Sequence, residues 1–270
     1  MLYFIFTIDG DWKEYFNIGL PEEKRLPDKQ RMLSLIDREI GLATKILGGK
    51  FIHFIHTSPR ARDFFLQPEF IGKWREIEGR GGDVGVHCHA DDPGRAYYHN
   101  DPGKMEEMIG FFTGALEENN LSPVAFRGGY MSFSPATIPV LEENGIFLDF
   151  SCDPGRYLLH DGRPVSDWRG APDNFYRMSY EDHRRPGDSR VFEIPLGIYI
   201  ETESLWKIWK KARQFKRRKG ETVLSVLAHS YDFSSFKMRL KIKLALLILK
   251  RFGRFISAEE SLRIASGGQG

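Results

Sequence analysis

Short apolar runs alternate along the chain with longer segments of helical periodicity. The run YFIFTID at 3–9 is almost continuously apolar and predicts a buried strand. The segment 28–47 predicts an amphipathic helix, because its apolar residues recur at spacings of three and four. These residues are Met32, Leu35, Ile36, Ile40, Ala43 and Leu47.

The same alternation continues to residue 253. Further strands are predicted at 50–57, 83–89, 124–129, 147–153, 191–197 and 222–230. Further helices are predicted at 68–82, 101–120, 134–145, 204–218 and 236–253. In the helix at 134–145, Ser134 is the expected N-cap and Pro135 the first helical residue. Repeated strand–helix units predict an α/β fold with helices around a parallel sheet, as a barrel or a doubly wound sheet.

The segment 153–190 interrupts this alternation with Pro, Gly, Asp and Arg residues. It is too long for an ordinary connection, and loops of this length usually serve as lids or binding loops. We therefore expect an irregular functional loop here.

The composition is that of a globular protein with a real core. With 270 residues and 41% apolar side chains, the chain is long enough for one large α/β barrel or two small domains. Two cysteines, Cys88 and Cys152, give no disulfide framework, which favours a reducing compartment. The opening residues lack the basic stretch and cleavage site of a signal peptide, and no long apolar run predicts a membrane span. These features predict a cytoplasmic protein.

Charge is distributed unevenly along the chain, although the net charge is only +2. From Trp206 to Arg254 there are 15 Lys and Arg residues but only two acids, Glu221 and Asp232. The rest of the chain has 24 basic and 35 acidic residues. Such a basic region indicates either an anionic partner or an ordinary solvated helix surface.

Ionisable residues gather where the predicted strands end. They are Asp9 and Asp11 after the first strand, His87, His89, Asp91 and Asp92 at the third, Arg127 and Tyr130 at the fourth, and His229 near the end of a late one. Parallel α/β enzymes build their sites at the carboxyl ends of strands. The sequence therefore predicts one site made from these residues.

Two histidines at the third strand, His87 and His89, have a spacing that suits a metal site. Side chains two residues apart on a strand project to the same side, and this also applies to Asp9 and Asp11. Two imidazoles and one carboxylate form the ligand set of catalytic zinc or a similar divalent ion. Five other histidines are predicted to be core or surface residues: His53, His56, His99, His160 and His183.

These motifs, in this order, resemble those of the NodB-homology polysaccharide deacetylases, carbohydrate esterase family 4. The matching stretches are TIDGD at 7–11, VGVHCHADD at 84–92, FRGGY at 126–130 and LAH at 227–229. The resemblance spans residues 3 to 260 and points to a divergent bacterial branch of surface-polysaccharide biosynthesis. It implies a single-domain distorted (β/α) barrel of about seven parallel strands over 1–270, with a basic helical part at 204–256.

The first two motifs imply a catalytic base and a metal site. The resemblance assigns the base to Asp9 and a metal ligand to Asp11. The family's second motif is His-x-x-x-His, and His87 matches its first position, but the residue four positions on is Asp91. Either His89 or Asp91 then completes the metal site. His89 is favoured, because imidazole is the commoner ligand and the strand spacing suits it.

The later motifs imply the remaining catalytic groups. By the resemblance, Arg127 pairs with the base, and the backbone N–H of Tyr130 helps to hold the oxyanion. His229 supplies the general acid that protonates the departing amine. Together these groups describe the hydrolysis of an acetamide.

The family's fourth motif, Asp-x-x-Asp-Trp, is matched only in Asp167 and Trp168, since Pro164 stands where the first Asp belongs. This departure leaves the acidic partner of His229 unidentified. Three aromatic residues either stack on sugar faces or pack at the barrel mouth: Trp12, Tyr130 and Trp168.

The resemblance implies a metal-dependent carbohydrate N-deacetylase that uses one divalent ion, with Zn²⁺ favoured by the ligand set. The expected substrate is a nucleotide- or lipid-linked N-acetyl sugar of surface-polysaccharide synthesis, such as a lipopolysaccharide precursor. Two alternatives stay open: a metal-dependent amidohydrolase or phosphoesterase acting on a non-sugar substrate, and an inactive barrel that binds glycan. No nucleic-acid-binding motif accompanies the basic region, and the sequence indicates no oligomeric state.

A lipid-linked substrate would lie on an anionic leaflet, where each nearby basic residue contributes about 1 kcal/mol to binding. We therefore expect a cytoplasmic protein with peripheral contact to the inner face of the membrane. The expected docking residues are Lys207, Lys210, Lys211, Arg213, Lys216, Arg217, Arg218 and Lys219.

Overall fold

A computed structural model describes residues 1–90, 98–160 and 162–267. A mostly parallel sheet curls into a half-barrel, and helices pack around it. The predicted α/β fold of the deacetylase-barrel type is therefore confirmed. Among the described residues, no helix is long and apolar enough to cross a bilayer.

The helices and strands follow one another along most of the chain. The strands are β1 (Leu2–Asp9), β2 (Ile52–Thr57), β3 (Asp83–Cys88), β4 (Ala125–Gly128), β5 (Leu148–Asp149), β6 (Tyr157–His160), β7 (Arg163–Asp167), β8 (Tyr176–Arg177), β9 (Phe192–Glu193), β10 (Leu196–Tyr199), β11 (Thr222–His229) and β12 (Arg254–Phe255). The α-helices are α1 (Lys29–Leu47), α2 (Pro68–Gly79), α3 (Pro102–Glu117), α4 (Thr137–Glu143), α5 (Leu205–Lys216), α6 (Phe236–Leu249) and α7 (Ala258–Ala265).

The main sheet has the strand order β10-β11-β1-β2-β3-β4-β5-β9-β8, and β12 pairs additionally with β1. All of these pairs are parallel except β8 with β9. Strands β9 and β10 lie near opposite ends of this order, yet only two residues separate them in the chain. The stretch 192–199 therefore joins the two ends of the curled sheet.

The two longest strands, β1 and β11, are neighbours in the sheet. Every residue of β1 and of β11 is buried, as expected for parallel strands that are covered on both faces. Their register runs from Leu2 opposite Thr222 to Asp9 opposite His229. The continuous apolar runs of the sequence thus become the strands that carry two of the predicted site residues.

Helix α1 shows how the periodic segments pack on this sheet. Its predicted apolar residues are all buried. The Asp28 side chain accepts a hydrogen bond from the backbone N–H of Arg31, a cap that contributes about 1 kcal/mol. The helix ends at Gly48, whose φ of 66° is left-handed and suits glycine. Its predicted bounds are therefore correct to within one residue.

Several elements differ from the sequence-based predictions. The strand predicted at 191–197 is two strands, β9 and β10. The segment 153–190 is not irregular throughout, because β6 and β7 form an antiparallel hairpin and β8 pairs with β9. Strand β12 and helix α7 were not predicted. The arrangement of the chain as a single domain stays a prediction.

The predicted cap of α4 is wrong. This helix begins at Thr137, with Ala136 at the cap position and no side-chain capping bond. The hydroxyl of Ser134 instead donates to the backbone oxygen of His99 at 2.8 Å. Ser134 therefore bonds to a residue that is distant in the chain and does not cap the helix.

Candidate active site

The carboxyl ends of several neighbouring strands enclose a cavity of about 230 Å³. Six of the seven predicted site residues line it: Asp9, Asp11, His87, His89, Tyr130 and His229. The seventh, Arg127, is fully buried and contacts Asp9. The structure thus brings the predicted residues into one site, while their chemical roles stay predictions.

Strand register explains this convergence. Asp9 of β1 lies opposite His229 of β11, and His87 of β3 lies opposite Arg127 of β4. Because these strands are parallel, their carboxyl ends open at the same edge of the sheet. Residues far apart in the chain therefore meet at one place.

Asp11, His87 and His89 form a buried triad. The Nε2 atoms of the two histidines are 3.1 Å apart. His87 Nε2 is 3.3 Å from Asp11 Oδ2, and His89 Nε2 is 3.8 Å from Asp11 Oδ1. Each side chain is at most 3% exposed. Three potential metal-ligating groups therefore converge on one point inside the protein.

The second nitrogen of His87 orients its ring. His87 Nδ1 donates to the backbone oxygen of Arg127 at 3.0 Å. In the neutral ring this bond leaves Nε2 without a hydrogen and directs its lone pair towards the triad. Such a bond is typical of metal-ligating histidines.

Charges in the triad are strongly coupled. Burial alone would lower the pKa of His87, but Asp9 and Asp11 outweigh it and raise that pKa to about 9. Burial and the charge of His87 lower the pKa of His89 well below its usual value. Burial would raise the pKa of Asp11, but His87 and the hydrogen bond from His56 hold it well below its usual value. The two carboxylates thus favour positive charge at this point.

His56 belongs to the same cluster, although the sequence placed it among core or surface residues. It is fully buried, and its Nδ1 lies 2.8 Å from Asp11 Oδ1. Its ring stacks on that of His89, with centroids 4.9 Å apart. Asp11, His56 and His89 thereby form a second possible metal-ligating group. Its position at the end of β2, opposite His87 of β3, was the available signal.

Asp9 is held by one oxygen and open at the other. Arg127 Nη1 donates to Asp9 Oδ1 at 2.6 Å. Arg127 is fixed in turn by the backbone oxygen of Phe150 at 2.9 Å and the hydroxyl of Thr7 at 3.1 Å. Asp9 Oδ2 lies 3.9 Å from His87 Nε2 and 4.0 Å from His229 Nε2. This oxygen is therefore available to a reactant in the cavity.

The structure supplies an acidic neighbour for His229, namely Glu201. Its Oε2 lies 3.6 Å from His229 Nδ1 and accepts from the hydroxyls of Tyr231 at 2.9 Å and Tyr199 at 3.1 Å. The Tyr231 ring stacks on His229 with centroids 4.8 Å apart. The sequence missed Glu201, because it follows β10, beyond the predicted end of that strand.

The turn after β4 shapes the wall beside His89. A Cβ atom at Gly129 would lie 2.5 Å from His89 Nδ1, so this position requires glycine. Tyr130 and Met131 follow with left-handed φ angles of 58° and 60°. Non-glycine residues rarely adopt this conformation, and it concentrates at functional sites. Trp168 Nε1 donates to the backbone oxygen of Met131 at 2.8 Å and braces the turn.

Solved structures of polysaccharide deacetylases superpose on this chain and share its fold. A putative polysaccharide deacetylase from Mycobacterium smegmatis superposes with a TM-score of 0.65 at 15% identity, over 98% of this chain and 90% of that chain. A probable polysaccharide deacetylase from Pseudomonas aeruginosa superposes with a TM-score of 0.59 at 12% identity, over 97% and 90%. The chain has the polysaccharide deacetylase fold. No family model and no curated protein matches the sequence.

The polysaccharide deacetylase fold by itself does not establish activity. A carbohydrate esterase family 4 pseudoenzyme from Bacillus anthracis superposes with a TM-score of 0.53 at 10% identity, over 96% of this chain and 64% of that chain. The same barrel thus occurs in a protein described as inactive. Function must therefore be argued from the site.

Of the three aromatic residues for which sugar stacking and packing were both left open, two are packing residues in this deacetylase fold. Trp12 and Trp168 are 2% and 0% exposed, so neither presents a ring face to a ligand. Trp12 Nε1 donates to the backbone oxygen of Arg25. Tyr130 lines the cavity, together with Tyr199 and Tyr231, which the sequence did not suggest.

Asp167, an acid considered from the deacetylase motifs, forms ion pairs with two arginines and does not contact His229. Asp91, the rival metal ligand, and its neighbour Asp92 lie outside the described residues. Asp167 of the partial fourth motif pairs with Arg169 and Arg184, and the hydrogen bond from Arg169 holds its pKa at about 2. The structure therefore gives Glu201, not Asp167, as the neighbour of His229.

Proposed function

We propose that this protein is a metal-dependent N-deacetylase that hydrolyses the acetamide of an amino sugar. The observation that carries the proposal is the convergence of three kinds of group on one cavity. They are an Arg-held carboxylate, a buried Asp/His/His triad, and a histidine backed by a glutamate. A base, a metal site and an acid are the groups that amide hydrolysis requires.

The triad fits a divalent ion. His87 Nε2 lies 3.1 Å from His89 Nε2 and 3.3 Å from Asp11 Oδ2, and His89 Nε2 lies 3.8 Å from the other oxygen of Asp11. In a tetrahedral site with bonds of about 2.1 Å, donors are separated by about 3.4 Å. Two imidazoles and a carboxylate favour Zn²⁺, and would leave a coordination position free. A bound ion would polarise the acyl oxygen and make a coordinated water more acidic.

The chain's own residues carry the proton transfers. Arg127 orients Asp9, so that Asp9 Oδ2 can take a proton from the attacking water. The water oxygen bonds to the acetyl carbon, and the C–N bond then breaks. His229 gives its proton to the departing amine, which leaves acetate and a free amino sugar. The backbone N–H of Tyr130 is the proposed donor to the oxyanion.

Glu201 is the proposed positioning residue for His229. Its carboxylate, held by the hydroxyls of Tyr199 and Tyr231, faces Nδ1 of the imidazole. A carboxylate at this position fixes the orientation of the ring, so that Nε2 is the nitrogen that donates. Nε2 is the nitrogen that lies nearer Asp9 and the cavity.

The proposed substrate is a nucleotide- or lipid-linked N-acetyl sugar of surface-polysaccharide synthesis. The cavity is small and polar, which suits an acetamido sugar better than a long apolar chain. Arg156 also lines it and provides a cation for a substrate phosphate. Such substrates carry phosphate on the sugar.

Metal analysis combined with an acetate-release screen tests this function. The purified protein is loaded with Zn²⁺, freed of excess ion, and incubated with N-acetylated sugar nucleotides and glycolipids. We expect about one ion per chain and acetate release from at least one substrate. Stoichiometric Zn²⁺ without acetate release, but with phosphate release, would identify a phosphoesterase instead. Failure to retain any divalent ion would favour the inactive glycan-binding barrel.

A further inference from the structure

Helices α5 and α6 form one continuous outer surface beside the active site. They contact each other, and each follows a strand that ends at the cavity. Helix α5 follows β10 and Glu201, whereas α6 follows β11 and His229. We name the outward side of these two helices the α5–α6 face.

An apolar stripe lies on this face. Phe236, Leu240, Leu244 and Leu247 of α6 are 71%, 44%, 38% and 42% exposed. Their spacings of four, four and three residues place them in one row along the helix. Trp206 of α5 is 68% exposed and stacks on Trp209. Single exposed apolar residues are ordinary, but a row of large ones indicates an interaction surface.

Positive charge surrounds the stripe. Neither α5 nor α6 contains an acidic residue. The exposed basic residues of the two helices are Lys207, Lys210, Arg213, Lys216, Lys237 and Lys243. The combination of an apolar row and flanking cations is typical of helices that lie in a membrane interface.

Two of the eight docking residues predicted from the sequence have partners within the protein. Lys211 Nζ lies 2.6 Å from Glu203, and Arg218 lies 2.5 Å from Asp173. The face is therefore less basic on α5 than the sequence suggests. It extends instead onto α6.

We propose that the α5–α6 face docks on an anionic phospholipid leaflet. The basic residues would contact the headgroups, and the apolar stripe with Trp206 would enter the interface. A symmetric contact with a second copy would oppose two such basic surfaces, which repel each other. A nucleic acid would satisfy the charges but leave the apolar stripe in water. An anionic leaflet would pair with the basic residues and would also take up the apolar stripe.

Docking through the α5–α6 face would place the candidate active site near the membrane surface. Lys241 of α6 donates from Nζ to the backbone oxygen of Glu201 at 2.9 Å, which links the helix to the wall of the cavity. The first turns of α5 and α6 lie at the same end of the sheet as His229. Resting on the proposed function, this arrangement brings the site near lipid-linked sugars at the leaflet surface.

Vesicle binding tests the proposal without using activity. The full chain is sedimented with vesicles of phosphatidylglycerol and phosphatidylcholine in equal parts, and with vesicles of phosphatidylcholine alone. We expect binding to the mixed vesicles that weakens with salt, and little binding to the neutral ones. The D9N variant should bind equally well, so that loss of catalysis and loss of docking are distinguishable.

Two sets of substitutions separate charge from apolar contact. The first set is Lys207→Gln, Lys210→Gln, Lys237→Gln and Lys243→Gln, which should weaken binding by at least about 100-fold. Its matched control neutralises four exposed basic residues elsewhere: Arg80→Gln, Lys104→Gln, Arg185→Gln and Arg263→Gln. The second set is Phe236→Gln, Leu240→Gln and Leu244→Gln, which should weaken binding by at least about tenfold.

Three outcomes would overturn the proposal. The first is equal binding to neutral and mixed vesicles. The second is unchanged binding after the apolar set, which would reduce the face to a site for any polyanion. The third is a dimer in sedimentation velocity that dissociates after the apolar set, since the stripe would then bind a second copy. Circular dichroism of each variant confirms that it is folded, which is expected because every substituted side chain is exposed.

Discussion

At the scale of single residues, the two carboxylates of the site, Asp9 and Asp11, have different surroundings. Asp9 gives one oxygen to Arg127 and keeps the other free, while Asp11 is surrounded by imidazoles. Arg127 is fully buried and fixed by two hydrogen bonds besides the one to Asp9, so it cannot follow Asp9 if that side chain moves. The geometry therefore favours Asp9 as the base and Asp11 as the ligand.

Ligand identity is tested by alanine variants. His87→Ala and His89→Ala should each weaken Zn²⁺ binding by at least about 100-fold, since each removes one of three donors. Asp91→Asn should leave the affinity within a few-fold of wild type. Competition with a fluorescent chelator measures all three. If Asp91→Asn abolishes binding while His89→Ala preserves it, His89 is not the ligand.

The role of Glu201 is tested by Glu201→Gln. Without the carboxylate, the imidazole of His229 loses the group that faces its Nδ1, and we expect kcat for acetate release to fall about tenfold. KM and bound Zn²⁺ should stay within a few-fold of wild type. Glu203→Gln is the control, because Glu203 pairs with Lys211 and not with His229. A rise in KM or a loss of bound Zn²⁺ together with the fall in kcat would assign Glu201 a merely structural role.

The seven site residues predicted from the sequence lie together in the structure, but the sequence missed two of their neighbours. His56 has no motif of its own, and its contact with Asp11 arises from the packing of β2 beside β1. Glu201 lies 28 residues before His229, on a turn whose position depends on β10 pairing with β11. Motifs report residues at strand ends. Side chains brought in by tertiary packing leave no local pattern.

At the scale of elements, the turn after β4 shapes the wall of the proposed metal site. Its two glycines let the backbone approach His89 and Ser132, and Tyr130 follows in a left-handed conformation. Trp168 reaches this turn from the end of the β6–β7 hairpin. The hairpin thus supports the site by bracing its wall.

Gly129→Ala should disturb the metal site without unfolding the protein. The added methyl group lies 2.5 Å from His89 Nδ1, so the imidazole must leave its present position. We expect Zn²⁺ affinity to fall by about 10- to 100-fold. Gly114→Ala, in helix α3 where the new methyl group meets nothing within 4 Å, is the matched control. Wild-type affinity in Gly129→Ala would show that His89 is not a ligand.

Elements with strong local patterns were predicted well. Helix α1 and strands β1 and β11 have periodicity or continuous apolar runs that determine their form. The two-residue strands β5, β8, β9 and β12 owe their existence to long-range pairing, so their bounds do not follow from local sequence. The same holds for Ser134, whose hydroxyl bonds to His99 rather than capping a helix.

At the scale of the whole molecule, the curled sheet combines the site and the proposed docking surface. Strands β10, β11 and β1 carry Glu201, His229 and Asp9 to one edge, and α5 and α6 continue from two of those strands. The stretch 192–199 joins the ends of the sheet and leads directly to the turn that carries Glu201. The barrel was predicted from the alternation of strands and helices and from the resemblance. Its closure through the stretch 192–199 was not predicted.

The central claim is that Asp9 acts as the base beside a metal site that does not depend on it. Acetate release is measured for Zn²⁺-loaded wild type and Asp9→Asn on the substrate identified by the screen, with bound Zn²⁺ determined in the same samples. We expect Asp9→Asn to retain about one ion per chain and to lose at least about 100-fold in rate. Wild-type acetate release by Asp9→Asn, with the ion in place, would contradict the account.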